Sequence, residues 1–156
     1  SSSLTALNMM PTFEDITEPF RMVDRDMRLE LLLDYADNLP PLPDEYESLR
    51  EAGLEMVHEC QSPVFLHVEV NGTVQLYGHV PRQAPTARAF VSILHEAFDG
   101  AAPKTVADAP DDPLRQLGLS KLLGMQRTQG LSAIYRKFKH DVATKAGSNA
   151  SEATSS

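Results

Sequence analysis

The sequence predicts an α+β fold in which a small antiparallel β-sheet of about three strands packs against flanking α-helices. Apolar residues recur at helical spacing in the first and last thirds of the 156-residue chain. In the middle the spacing changes to strict alternation, which is typical of strands. One block of strands between two blocks of helices favours α+β architecture over a parallel α/β sheet.

Three helices are predicted before the strands. The first begins near Phe13, the second spans 25–38 behind a capping Asp24, and a short acidic helix covers 44–51. The segment Leu-Pro-Pro-Leu-Pro at 39–43 ends the second helix, because proline lacks a backbone donor and clashes with the preceding turn.

Alternation over 64–80 predicts a β-hairpin, and a short strand at 55–58 is expected to join it. A two-residue Asn-Gly loop at 71–72 would put the apolar sets of the two strands on opposite faces of the sheet. We therefore expect a three-residue loop that ends at Gly72, with Val68 paired to Val74.

This register places the remaining side chains of the hairpin on a face exposed to solvent. We expect His67 to face solvent opposite Gln75, and Phe65 to form a cross-strand aromatic pair with Tyr77.

The rest of the chain is predicted to be helical. Pro85 suits the first turn of a helix over 85–99, short helices follow at 105–109 and 113–117, and the last helix covers 125–145. Its expected buried stripe comprises Leu131, Ile134, Tyr135, Phe138 and Val142.

Length and composition indicate a single domain over 11–145, with a flexible N-terminus at 1–10 and a small, polar, disordered tail at 146–156. The net charge of −8 argues against binding to nucleic acid or to an anionic membrane surface, since both require a positive face. No apolar run approaches the ~20 residues of a membrane helix, and no secretory signal is recognised at the N-terminus. We expect a cytoplasmic protein.

Cys60 is the single cysteine, which excludes a disulfide or a four-thiolate metal site within one chain. It precedes Ser62 and Pro63 and is therefore predicted to lie in a loop between the short strand and the hairpin. An inert buried thiol, a reactive thiol and a thiol that acts with another chain all remain open. A hydrolytic pair with His58 is disfavoured by their two-residue spacing, and no metal site is predicted.

The sequence Cys60-Gln61-Ser62 resembles the SufE family of sulfur acceptors, in which a cysteine followed by Gln-Ser opens the central hairpin. Three further elements resemble the family in the same order: the proline-rich segment at 39–43, the helix at 85–99, and the Arg-Thr-Gln-Gly-Leu sequence at 127–131 that opens the last helix.

The resemblance implies a SufE/IscU-like fold and a role as sulfur acceptor. Cys60 would take a persulfide sulfur from a pyridoxal-phosphate cysteine desulfurase of the SufS type, stimulate that enzyme, and deliver the sulfur to an Fe–S scaffold complex of the SufBCD type. The resemblance also implies that Arg127, Gln61, Ser62 and His58 bind the partner or support the thiolate. Such a protein is a carrier and activator rather than a stand-alone enzyme, and it needs no cofactor of its own.

The chain departs from the family pattern at two places. Glu59 stands where the family has glycine, and the sequence Gly-His-Val-Pro-Arg at 78–82 replaces an acidic turn that relatives use for desulfurase docking. Two other functions remain open, namely an interaction module of the same fold with a silent cysteine, and a thiol-based redox enzyme.

Overall fold

The computed structural model describes residues 13–54, 56–57 and 63–155, and confirms the predicted α+β class. The predicted flexible segment at 1–10 lies outside these residues. The elements follow one another as α1 (Phe13–Met22), α2 (Arg25–Asp37), α3 (Asp44–Glu51), β1 (Met56–Val57), β2 (Val64–Asn71), β3 (Thr73–His79), α4 (Pro85–Phe98), α5 (Pro103–Ala107), α6 (Pro113–Gln116), α7 (Leu119–Leu123) and α8 (Met125–Ser155).

The three strands form one antiparallel sheet in the order β1-β2-β3. The predicted register of the hairpin is wrong by two residues, because Val70, rather than Val68, pairs with Val74. The chain turns more tightly than expected: Gly72 adopts φ 81°, and the flanking Asn71 and Thr73 face each other. A shift of two residues keeps each side chain on its predicted face, since the side-chain period of a strand is two.

Hydrogen bonds from the Val74 backbone to residues outside the hairpin fix this register. The Val74 N–H donates to the Ala101 carbonyl at 2.7 Å, and the Val74 carbonyl accepts from the Gly100 N–H at 2.6 Å. Asp99 adds a third contact, because its Oδ1 accepts from the Leu76 N–H at 3.1 Å. The segment that follows α4 therefore pairs with the outer edge of β3.

One face of the sheet packs on α4 and α8 and forms the core. The predicted stripe of α8 is buried throughout, and so are Phe90, Leu94 and Phe98 of α4. Residues from both strands complete this layer: Val64, Leu66, Val68, Val70, Val74 and Leu76. The core thus follows the periodicity of the sequence.

Helix α4 and strand β3 approach each other closely at Gly78. A Cβ added to Gly78 would lie 2.6 Å from Cγ1 of Val91, which is shorter than any normal carbon–carbon contact. Gly78 is therefore required by packing, since its backbone shows no positive φ.

The opposite face of the sheet is covered by α3, contrary to the prediction that it faces solvent. The Tyr46 ring lies 4.7 Å from the His67 ring and 4.5 Å from the Tyr77 ring. His67 is only 7% exposed, and it pairs with Tyr77, whereas Phe65 pairs with His79. The prediction of a Phe65–Tyr77 pair is wrong because of the same two-residue shift in register.

The proline-rich segment at 39–43 carries the chain from α2 to α3. Leu39, Pro40, Pro41 and Pro43 line a narrow cleft with Leu76–Gly78 of β3. The chain therefore passes around the β3 edge on its way to the second face. Because prolines cannot donate backbone hydrogen bonds, the segment covers this edge without adding a strand.

Some helix boundaries differ from the sequence expectation. Helix α8 continues to Ser155, past the expected end at residue 145. The short helix expected at 105–109 begins at Pro103, and the structure adds α7, which was not predicted. Among the described residues, no helix combines the length and the apolar character required to cross a membrane.

Substituting Gly78 with alanine should lower the free energy of unfolding by about 1–3 kcal/mol, because the new methyl group overlaps Val91. The double variant Gly78→Ala/Val91→Ala should be less destabilised than the sum of the two single variants, since the smaller residue 91 makes room. Urea unfolding followed by circular dichroism measures all three variants. An equal cost of Gly78→Ala with valine or alanine at position 91 would contradict the contact.

Candidate functional site

The predicted site centres on the segment that joins β1 to β2. The predicted site residues Cys60, His58, Gln61 and Ser62 all lie outside the described residues, whereas both ends of the segment are described. Its geometry is therefore built from the strands that hold it and from the side chains around them.

Two backbone pairs hold the ends of the segment together. Val57 pairs with Val64 and Met56 pairs with Phe65, and both valines are at most 2% exposed. The residues between Val57 and Val64 therefore leave and re-enter the sheet at adjacent positions. Cys60 lies three residues after Val57, so covalent geometry limits their Cα atoms to a separation of about 11 Å.

Helix α8 runs beside this end of the sheet and carries Arg127 in its first turn. Lys145 donates a hydrogen bond to the Val68 carbonyl, on the side of β2 that β1 is too short to cover. Nearer its start, α8 lies against Val57. A rise of 1.5 Å per residue puts Arg127 about 14 Å before Arg136 along the axis. The first turn of α8 therefore extends beyond the sheet at the end where the Cys60 segment begins.

Arg127 is exposed and makes no hydrogen bond or ion pair within the described part of the chain. It occupies the first turn of α8, where the helix dipole disfavours a cation. The fold therefore gives this side chain no structural role among the described residues. Its role in binding the partner or supporting the thiolate stays a prediction.

A cleft of about 450 Å³ opens between β1 and α8, next to the Cys60 segment. Met56, Val57 and Ala133 form its apolar part, and Arg136, Lys137 and His140 form its basic part. In the sequence, the basic residues of the last helix are not distinguishable from an ordinary solvated helix face. Their contact with β1 depends on how the helix packs and leaves no local sequence signal.

On the other side of the same sheet end, His79 lies directly opposite Phe65. Burial, and then the nearby Arg50 and Arg88, lower the pKa of His79, while Glu47 acts in the opposite direction. Arg88 is fixed by hydrogen bonds from Nη1 to the Val80 carbonyl at 2.9 Å and from Nε to the Ala36 carbonyl at 3.3 Å. Cationic side chains thus occupy the position where the sequence departs from the acidic family turn.

His67 forms the polar centre of the face that α3 covers. Its Nε2 lies 2.6 Å from Oε1 of Glu69, and its buried Nδ1 has no hydrogen-bond partner among the described residues. Tyr46 caps this pair, and desolvation, followed by nearby Tyr77 and Glu45, raises its pKa to about 12. The phenol therefore stays neutral at physiological pH. Within the described ranges, no three His, Cys, Asp or Glu side chains come together as a metal site.

The chain matches a family profile over residues 14–142, that of SufE, described as an Fe-S metabolism associated domain. This range covers most of the chain and includes the Cys60 segment, the sheet and the start of α8. The resemblance expected from the sequence is thereby confirmed.

Two curated relatives are named uncharacterized SufE-like proteins, from the CDC 1551 and H37Rv strains of Mycobacterium tuberculosis. Each is 36% identical over 139 residues, which cover 87% of this chain and 95% of the relative. A solution structure of a hypothetical protein from Thermus thermophilus superposes with a TM-score of 0.74 at 34% identity. The match covers 88% of this chain and 97% of the neighbour.

The lowered pKa of His79 predicts an acid-sensitive fold. An unfolded histidine titrates near pH 6.5, so below about that pH the unfolded state binds more protons than the folded state, and stability falls. His79→Gln removes this linkage and should therefore lose less stability than the wild type between about pH 7.5 and 5.5. Urea unfolding at both values tests the difference. Equal losses for the two proteins would show that His79 does not contribute.

Proposed function

Since the chain belongs to the SufE family, which is associated with Fe–S metabolism, we propose that it accepts persulfide sulfur on Cys60 from a cysteine desulfurase and delivers it for Fe–S cluster assembly. The supporting observation is the position of the only cysteine in a short segment whose two ends are held together by the Val57–Val64 pair.

The transfer is a thiol–disulfide type exchange that needs no external oxidant. The Cys60 thiolate attacks the outer sulfur of the desulfurase persulfide, and a new S–S bond forms. The original S–S bond breaks, and its electron pair leaves with the desulfurase thiolate. The proton on the outer sulfur stays with that sulfur, so Cys60 carries the persulfide, and the total charge is unchanged.

The sequence and the fold support this role in two ways. Cys60 has no second cysteine in the same chain to attack its persulfide, so the sulfur can leave only to another molecule. The paired strands keep the base of the Cys60 segment in place, so a partner can approach the thiol without disturbing the core. A short connection on a fixed base is a suitable carrier for a thiol that must reach another active site.

Arg127 is proposed to contact the desulfurase or to stabilise the sulfur anion. Its exposure and its lack of a described partner support this role, and so does its unfavourable place in the first turn of α8. Gln61, Ser62 and His58 are proposed to assist in the same way, because they flank Cys60 in the chain.

The proposed partners are a pyridoxal-phosphate cysteine desulfurase of the SufS type and a downstream scaffold of the SufBCD type. Pyridoxal phosphate belongs to the desulfurase, and this chain is proposed to act as a carrier in the cytoplasm. The chemistry that it contributes is confined to one thiol and the side chains that orient it.

Cys60→Ser should abolish sulfur uptake and stimulation of the desulfurase, because a hydroxyl does not form a stable persulfide. Purified wild type and variant are each mixed with a cysteine desulfurase and L-cysteine. Sulfide release and intact mass are then measured. The wild type should raise the turnover and gain the mass of one sulfur atom, and the variant should do neither.

Equal behaviour of the two proteins would reject the carrier role and favour an interaction module with a silent cysteine. Rapid oxidation of Cys60 by peroxide, without sulfur uptake from the desulfurase, would instead favour a thiol-based redox enzyme.

Arg127→Ala should lower the stimulated turnover about tenfold, the equivalent of one lost charge-assisted hydrogen bond. Its free energy of unfolding should stay within about 0.5 kcal/mol of the wild type, since the side chain is exposed. Arg127→Lys is the matched control that keeps the charge but loses the planar guanidinium. Unchanged turnover of Arg127→Ala would leave this arginine as a surface residue.

A further inference from the structure

The cleft between β1 and α8 adjoins the Cys60 segment directly, because Val57 is both the base of that segment and a wall of the cleft. A protein that contacts Cys60 does so within about 11 Å of Val57, which lines this cleft. The cleft has an apolar part, with Met56 and Val57 on one side and Ala133 on the other. Its polar part comes entirely from α8.

Most cations of α8 beyond its first turn already have partners. Lys137 pairs with Asp141 at 2.6 Å. Lys139 donates to the Ala109 carbonyl at 2.9 Å, and Lys145 donates to the Val68 carbonyl. These three side chains hold the helix to itself or to its neighbours.

Arg136 and His140 differ from the other cations of the helix. Both are exposed, both line the cleft, and neither makes a hydrogen bond or ion pair with any described residue. They lie four residues apart on one helix face, a spacing at which two basic side chains give no stability to the helix. The fold therefore does not require this pair.

The cleft is basic, whereas the chain as a whole is acidic. The chain carries 22 acidic and 14 basic residues, yet none of the described residues that line the cleft is acidic. An acidic group on another protein is repelled by the net charge of this chain and attracted only locally. Such an arrangement steers a partner into one orientation and raises its rate of association.

We propose that the β1–α8 cleft receives an acidic segment of the desulfurase that loads Cys60, with Arg136 and His140 pairing with its carboxylates. Met56, the partly exposed apolar residue of the cleft, contacts the aliphatic portion of the same segment. This inference rests on the proposed function and adds a docking surface to it. Arg127 belongs to a different contact, because nine residues of helix separate it from Arg136 and turn it to the opposite side.

The test compares Arg136→Glu/His140→Glu with the wild type in stimulation of a purified pyridoxal-phosphate cysteine desulfurase. The half-saturating concentration of the double variant should rise about tenfold, while the turnover at saturation stays within about twofold. Added salt should narrow the difference, because it screens the attraction. The matched control is Arg21→Glu, which reverses an exposed charge on α1, away from β1.

A milder pair of substitutions, Arg136→Gln/His140→Gln, guards against misfolding. Its half-saturating concentration should lie between those of the wild type and the double charge reversal. An unchanged half-saturating concentration in both double variants would overturn the docking surface, and so would a rise of equal size in Arg21→Glu. If the wild type itself neither stimulates the enzyme nor takes up sulfur, the proposed function fails instead. The two failures are therefore distinguishable.

Discussion

The structure depends on the burial of β2 on both of its faces. It is the only described strand with a neighbour on each side, and every residue from Val64 to Val68 is buried. One face requires the apolar layer of α4 and α8, and the other requires α3. The chain must therefore pass around one sheet edge between α2 and α3, which the proline-rich segment at 39–43 does. The Cys60 segment leads into the first residue of β2, Val64.

Burial on both faces also brings remote cations to that end of the sheet. Arg50 reaches it from α3, His79 from β3, and Arg136 from α8. Arg136 carries positive charge beside the base of a segment proposed to carry a sulfur anion, whereas Arg50 is paired with Glu47 at 2.7 Å and the lowered pKa of His79 favours its neutral form. Nearby positive charge favours a thiolate over a thiol, and the thiolate is the form that attacks a persulfide.

Periodicity made much of the fold predictable, because the spacing of apolar residues directly indicates a buried stripe such as that of α8. The cap at Asp24 was also predictable, and its carboxylate accepts from the Met27 N–H at 3.0 Å. The hairpin register was not predictable. Alternation fixes the sheet face on which a residue such as Val68 lies, but it does not fix which residue pairs with it on the next strand. Contacts from Gly100 and Ala101 decide that pairing, and both lie far along the chain.

The covered second face was missed because the eight-residue α3 carries only two apolar residues, Tyr46 and Leu49, too few to set a period. Tyr46 supplies its contact with His67 and Tyr77. The candidate site divides in the same way. Cys60 stands out in the sequence as the only thiol, whereas the basic side chains at the described end of the sheet come from separate elements that only the tertiary fold brings together.

The covering of the β3 edge has a consequence for how copies of this protein behave when crowded. Residues 99–101 bond to the outer backbone of β3 over its first half, and prolines flank the second half. At the opposite edge β1 is only two residues long, and Lys145 of α8 bonds to the Val68 carbonyl of β2 beyond it. An exposed, regular strand edge invites another chain to extend the sheet and so begins aggregation. Here neither edge offers a long template, so the sheet cannot readily propagate from one molecule to the next.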